Sequence, residues 1–260
     1  MEVSALSQLL KVENISMNYH TKSDETKAID NISFRTLEGE FISIVGPSGC
    51  GKSTLLSIIA GLLKPSSGNV YINDEKITGV NSSIGYMFQQ DQLLEWRSVL
   101  SNVYLGLEIQ DKLTTENKKH VNDLLTQYGL GNFKNHYPSQ LSGGMRQRVA
   151  LIRTLTLDPN ILLLDEPFSA LDYQTRLNVA DEVYSIIKNE NKTAILVTHD
   201  ISEAISMSDK VIVLSDRPSK VKKSFFINFN LEGRTPLKTR STPEFKGYFD
   251  LIWKELNEDE

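Results

Sequence analysis

Cysteine is almost missing from this 260-residue chain; Cys50 is the single one. It has no partner for an intrachain disulfide, so packing alone must hold the fold, and a reducing compartment is expected. Long hydrophobic runs are missing too. The uninterrupted apolar stretches, Ile161–Leu164 and Ala194–Val197 among them, are four residues long, far below the about 18 that a membrane helix requires. Met1–Leu10 has neither the basic patch nor the apolar segment of a secretion signal. Basic charge is in deficit: 28 Lys and Arg face 33 Asp and Glu, a formal net charge of −5. That balance argues against a protein that lives by sequence-independent binding to nucleic acid. There is no internal repeat and no low-complexity block.

What remains is an ordinary globular mixture, 40% hydrophobic and 23% charged. A chain of this length buries about 70–75% of its unfolded surface and needs no staple. It reads as soluble and cytoplasmic, so any membrane it works at must come with a partner.

The pattern along the chain alternates, stops, and resumes. Residues 9–45 read as strands, ending in the β-rich run Phe41–Val45. Residues 52–63 read as a helix, with Leu55, Leu56, Ile58, Ile59 and Leu62 at helical spacing and Pro65 beyond. Strand-like runs follow at 69–73 and 83–88. Between about 91 and 157 only helices are expected, near 98–108, 116–128 and 143–157. Alternation then resumes: strand 160–165, helix 173–189, strand 193–198, short helix 201–207, strand 210–215. A strand near 224–229 and a helix near 243–256 close the chain. Strands alternating with helices imply an α/β fold with a mostly parallel sheet. The expected organisation is a core of 9–90 and 158–220, an inserted helical subdomain of 91–157, and a short C-terminal strand and helix over 221–260.

Gly46-Pro47-Ser48-Gly49-Cys50-Gly51-Lys52-Ser53 follows a strand and opens a helix. This is the P-loop spacing. Glycines let the backbone curl so that its N–H groups face phosphate oxygens, and the helix adds its positive end. Lys52 is expected to reach the β- and γ-phosphates and the Ser53 hydroxyl to take a place on Mg²⁺. Thr54 is counted with the loop. Cys50 reads as a small neighbour of the nucleotide, because no activating group for a thiol is evident nearby.

Ile161-Leu162-Leu163-Leu164 ends in Asp165 and Glu166. In a P-loop fold such an Asp lies beside the loop and holds Mg²⁺. Strand alternation turns Glu166 to the other side, toward an attacking water, where it is a general-base candidate. His199 follows the apolar run Thr193–Thr198. A parallel neighbouring strand would deliver it to the same sheet edge, in reach of the γ-phosphate or the water.

Leu141-Ser142-Gly143-Gly144-Met145-Arg146-Gln147-Arg148 opens another helix, with Ser142 as a natural N-cap. It is a second anion-binding helix end in a chain that already has one. With this stretch, the P-loop and the acidic strand end together, nearly the whole chain resembles the nucleotide-binding subunit of an ATP-binding cassette (ABC) transporter, a P-loop NTPase core with an N-terminal antiparallel β region and a helical insertion.

The resemblance implies ATP as substrate with Mg²⁺, and a head-to-tail dimer with a second copy or a paralogous cassette. Leu141, Ser142, Gly143, Gly144 and Met145 would meet the γ-phosphate of the neighbour's ATP, and hydrolysis would remove the contact that closes the dimer. Tyr19 resembles the aromatic that stacks on adenine; the alternative is a surface aromatic. Gln89 resembles the glutamine that senses Mg²⁺ and water and joins the core to the insertion. Asp172, in Ser169-Ala170-Leu171-Asp172, resembles the residue coupling the two ATP sites. Ser53, Gln89 and Asp165 are the implied metal set; Lys52, Gln89, Glu166 and His199 the implied catalytic set. Arg146, Arg148 and Arg153 read as solvated or salt-bridged rather than as a nucleic-acid face. Ile152 and Thr154 stand where alanines are common in relatives.

A lone cassette without membrane helices favours an importer: a peripheral subunit on the cytoplasmic face of the membrane, with a separate integral-membrane permease and a solute-binding protein. Residues 93–103 and Ser215-Asp216-Arg217-Pro218 are similar to the nitrate/sulfonate/taurine importer group, which also includes transporters of thiamine precursors. Trp96, Leu93 and Leu94 are anchors for a permease helix, or Trp96 fills the subdomain's own core. The alternative is an ABC ATPase of a non-transport system or of another importer or exporter group. Loss of catalysis is argued against by the intact Lys52, Asp165, Glu166 and His199.

Overall fold

The computed structural model describes residues 7–20 and 25–258. The first six residues of Met1–Leu10, residues 21–24 within the expected strand region, and the last two of 221–260 lie outside the described residues.

The N-terminal strands β1 (Gln8–His20) and β2 (Glu25–Leu37) pair antiparallel. β4 (Ser67–Ile72) joins the other edge of β1, and the two-residue β5 (Glu75–Lys76) closes this first sheet in the order β2-β1-β4-β5. A second sheet carries the alternating part of the chain. Its order is β10-β9-β3-β8-β7-β6, built from β3 (Phe41–Val45), β6 (Ile84–Met87), β7 (Ile161–Asp165), β8 (Thr193–Val197), β9 (Lys210–Leu214) and β10 (Val221–Phe226). β6, β7, β8, β3 and β9 are parallel; β10 returns antiparallel on β9.

Every residue of β3, β7 and β8 is buried. Parallel strands covered on both faces have no solvent side, so they read as continuous apolar runs. One face, with Phe41, Leu162, Leu164, Ala194 and Leu196, packs on the helical layer: α2 (Val99–Ile109), α3 (Thr115–Gln127), α4 (Gly143–Leu155) and α5 (Tyr173–Asn189). The opposite face, with Ile42, Ile44, Ile161, Leu163, Ile195 and Val197, packs on α1 (Lys52–Ile59) and the antiparallel sheet. A third apolar cluster joins α6 (Ile201–Met207), β9 and α8 (Pro243–Asn257).

Several boundaries differ from expectation. α1 stops at Ile59 instead of 63 because Gly61 takes a left-handed φ of +72°. Gly61 N–H bonds Ile58 C=O and Leu62 N–H bonds Ser57 C=O, at 3.0 Å each, the hydrogen-bond pair of a Schellman stop. A Cβ on Gly61 would sit 2.0 Å from the Gly79 carbonyl, so only glycine fits there. β10 begins at Val221 instead of 224: pairing to β9 sets its register, Val221 opposite Leu214 and Phe226 opposite Lys210. The five-residue α7 (Pro236–Arg240) has no counterpart in the sequence reading; it is too short for an amphipathic period.

The order β3-β8-β7 decides the site. Their C-terminal ends lie side by side, with Ile44 opposite Val197 and Val197 opposite Asp165. The phosphate loop leaves β3, His199 follows β8, and Glu166 follows β7. Among the described residues, no helix is long and apolar enough to cross a membrane.

Candidate active site

Between β3 and α1 the loop turns on two left-handed glycines, Gly49 (φ +76°) and Gly51 (φ +111°). The Lys52 ammonium donates to the carbonyls of Gly46 and Pro47, both at 2.9 Å, which holds it over the loop. Gly46 is needed for packing: a Cβ would meet Cys50 Sγ at 3.0 Å and Leu214 Cβ at 3.1 Å. Cys50 is 1% exposed and packs in the apolar cluster beneath the loop, and burial pushes its thiol pKa up. Its side chain faces the core, so only its backbone is available to a phosphate. Ser48 and Gly49 form the exposed crest.

Ser53, in the first turn of α1, donates its hydroxyl to Asp165 Oδ1 at 2.8 Å. Tyr86 on the neighbouring β6 donates to Asp165 Oδ2 at 3.0 Å. Burial raises the Asp165 pKa, and these two hydrogen bonds pull it back. Burial, reinforced by the Asp165 charge, also raises the Tyr86 phenol. Tyr86 was not foreseen; its signal was a tyrosine in an otherwise apolar strand two residues before Phe88.

Glu166 does not continue the pleat. Its φ is +46° and its N–H bonds the Val197 carbonyl at 2.9 Å. A tight left-handed turn, rather than strand alternation, aims the side chain. Glu166 Oε2 lies 3.0 Å from His199 Nδ1, and the imidazole is half exposed. Gln89, exposed just after β6, donates to Ser169 Oγ at 3.2 Å, and Ser169 donates onward to the Glu166 carbonyl at 2.9 Å. Tyr19 at the end of β1 is part-exposed, its hydroxyl 3.2 Å from Thr54 Oγ1. Lys52, Ser53, Thr54, Tyr19, Asp165, Glu166, His199 and Gln89 thus gather at one edge of the sheets. Arg217 joins them unforeseen, donating to the Gly49 carbonyl at 2.6 Å.

A second group of residues is built on helix starts. Ser142 caps α4 by accepting the Met145 N–H at 3.3 Å, and its side is exposed. Leu141 is buried beneath it. Gly143 and Gly144 sit in tight packing: added Cβ atoms would lie 2.8 Å from Leu171 Cδ2 and 2.6 Å from Val179 Cγ2. Asp172 caps α5 by accepting the Thr175 N–H at 3.1 Å, and the hydrogen bonds from Thr175 hold its carboxyl below the usual range. Leu171 therefore seats the Asp172 loop against the Ser142 helix. The three arginines of α4 bind within the chain. Arg146 pairs with Asp91 at 3.0 Å, Arg148 with Glu182 at 3.2 Å, and Arg153 donates to the Asp91 and Gln92 carbonyls at 2.7 Å. Two of them thus fasten the segment that follows Gln89.

The metal question is one of donor chemistry. Among the described residues no group of three or more His, Cys, Asp and Glu could cage a metal. A hydroxyl beside a buried carboxylate is instead the sparse, hard-oxygen set that suits Mg²⁺, which keeps waters and phosphate oxygens as its other ligands.

A phosphate loop between strand and helix, with an acidic strand end hydrogen-bonded to it, makes this a P-loop nucleoside triphosphatase. The family model described as "ABC transporter" matches residues 29–169. The chain is 48% identical over 248 residues to the ABC transporter ATP-binding protein YtlC of Bacillus subtilis, covering 95% of each. It is 42% identical over 217 residues to the taurine import ATP-binding protein TauB of Ruegeria pomeroyi, covering 83% of this chain and 81% of that one. It superimposes with a TM-score of 0.72, at 34% identity, on the ATP-binding cassette MJ0796 in a dimeric post-hydrolysis state bound to ADP and Pi, covering 85% of this chain and 100% of that chain. The chain belongs to the ABC transporter family, and its activity is ATP hydrolysis.

Proposed function

We propose that this cassette powers import of a small solute, of the nitrate, sulfonate, taurine or thiamine-precursor kind, through a separate permease. The carrying observation is the Glu166–His199 contact at 3.0 Å beside the Lys52 loop. With it goes the similarity to a taurine import ATP-binding protein.

In this reading ATP lies along Gly46–Thr54 with its adenine on Tyr19. Lys52 and the loop N–H groups hold the phosphates. Ser53 and Asp165 would hold Mg²⁺, with Gln89 in reach, and the bound ion would supply charge neutralisation at the phosphates. Glu166 accepts the proton of the attacking water, and His199 orients Glu166 and the γ-phosphate. Ser142–Gly144 of a second copy or a paralogous cassette covers the same γ-phosphate, so binding closes the pair and hydrolysis opens it. Asp172 links the two sites. The core of 9–90 and 158–220 thus works against the helical part of 91–157, with 221–260 as an appended segment.

The permease helix seats where the insertion meets the Gln89 segment. Trp96 is 75% exposed there, which supports an anchor for a partner over a core residue, with the half-buried Leu94 nearby in the chain; Leu93 is no anchor, being buried in the core beneath the helical layer. In this reading the chain works peripherally on the cytoplasmic face, with a solute-binding protein completing the system.

The test is to purify the chain with its permease and solute-binding protein in lipid vesicles. ATP hydrolysis that rises on adding taurine, an alkanesulfonate, nitrate or a pyrimidine supports the reading. Hydrolysis that ignores every one of these solutes, while responding to a solute of another class, overturns it.

A further inference from the structure

Both chain neighbours of His199 are pinned. Thr198 Oγ1 donates to Glu203 Oε2 at 2.7 Å and accepts the Asp200 N–H at 3.0 Å. Asp200 Oδ1 accepts the N–H groups of Ser202 (2.7 Å) and Glu203 (3.1 Å), capping α6. His199 therefore sits in a one-residue span between two held residues, free only to turn its own ring.

One side chain ties these pins to the loop on the far side of Glu166. Arg176, in the first turn of α5, donates through Nη2 to the Leu171 carbonyl at 3.1 Å. Its Nη1 lies 3.6 Å from Asp200 Oδ2 and its Nε 3.8 Å from Glu203 Oε1. Leu171 belongs to the Ser169–Asp172 loop. Ser169 in turn holds the Glu166 carbonyl and receives Gln89. The Arg176 side chain is largely buried and Glu203 is 3% exposed, so solvent does little to screen this pair. Of these contacts only that to Leu171 is a hydrogen bond, and Nε has no hydrogen-bond partner; the guanidinium acts on the two carboxylates by charge, which a lysine ammonium reproduces only in part.

We propose that Arg176 is a positioning residue for hydrolysis: it sets the spacing between the Glu166–Asp172 loop and the His199 segment, and so keeps Nδ1 of His199 against Glu166. It touches no reacting atom. The proposal rests on the reading of Glu166 and His199 as the hydrolytic pair.

The test compares the wild type with Arg176→Met, Arg176→Lys, His199→Ala and the double variant Arg176→Met/His199→Ala. The readouts are Mg-ATP hydrolysis, affinity for a fluorescent ATP analogue, and thermal melting. Arg176→Met should lower kcat by about tenfold or more, because small misplacements of a catalytic group are costly. KM and analogue affinity should stay within about twofold, since the loss falls on the transition state. Arg176→Lys should recover part of kcat, and it carries the test if the methionine variant does not fold. In the His199→Ala background Arg176→Met should cost less than about twofold more, as residues acting as one unit are not additive.

Wild-type kcat in both Arg176 variants, a parallel fall in nucleotide affinity, or full additivity with His199→Ala each overturns the positioning role while leaving the pair intact. A His199→Ala enzyme with wild-type kcat sinks the pair itself, and the proposal with it.

Discussion

Nδ1 of His199 lies 3.0 Å from Oε2 of Glu166 although 33 residues separate them. The contact spans the ends of two neighbouring strands. β7 and β8 are in register, Asp165 opposite Val197, and Glu166 N–H bonds the Val197 carbonyl. A glutamate in the left-handed region is strained, by roughly 1–3 kcal/mol for such positions. Here the ladder bond on one side and the Ser169 bond on the other hold it in place.

Removing the Glu166 charge separates binding from chemistry. Glu166→Gln should bind ATP with wild-type affinity and hydrolyse it at least ~100-fold more slowly, the lower end of general-base contributions. With ATP it should elute as a dimer in size-exclusion chromatography. A monomer under saturating ATP would contradict the closed pair.

Lys52 tests the loop itself. Lys52→Met keeps most of the buried stem and removes the ammonium that bonds Gly46 and Pro47. ATP affinity, followed by a fluorescent analogue, should fall at least ~10-fold, the direction expected when a charge-assisted contact of about 1.5–3 kcal/mol is lost. Unchanged affinity would remove Lys52 from the phosphate site.

Gly144 tests whether the Ser142 helix start is also a packing seam. Gly144→Ala drives a methyl to 2.6 Å from Val179 Cγ2, and overpacking of that kind costs about 1–3 kcal/mol. The melting temperature should drop by several degrees. A melting point equal to wild type would mean that α5 yields without cost.

Asp165 gives a pH signature with a definite sign. Burial raises its pKa above the usual 3.8, so between that value and the raised one the folded state holds more of the proton than the unfolded state. Stability carried by this group therefore falls as pH rises through that window. Asp165→Asn removes the penalty: it should be more stable than wild type at pH 7, with the advantage shrinking toward pH 3, while hydrolysis is lost. Equal melting differences at both pH values would refute this.

Local chemistry was legible because it is written in contiguous residues. Glycine spacing, the acid pair after an apolar run and the Ser142 cap each act through a few neighbouring peptides, and the structure has the loop, strand end and cap at the expected residues. Tyr86, Arg176 and Arg217 were not legible. Tyr86 stands out as a tyrosine in an apolar strand and Arg217 lies in a recognisable stretch, but their partners, Asp165 and Gly49, are 79 and 168 positions away, and the carboxylates that Arg176 faces, on Asp200 and Glu203, lie on another element.

By itself the sequence determined which segments bury, where the phosphate loop turns, and which family the chain resembles, because periodicity and motif spacing are local properties. Tertiary structure decided the strand order β3-β8-β7 and with it the meeting of Lys52, Asp165, Glu166 and His199. It also turned Cys50 inward and bent Glu166 out of the pleat. The physical reason is that strand neighbours are chosen by burial of both sheet faces at once, a collective free energy that no single stretch of the chain contains.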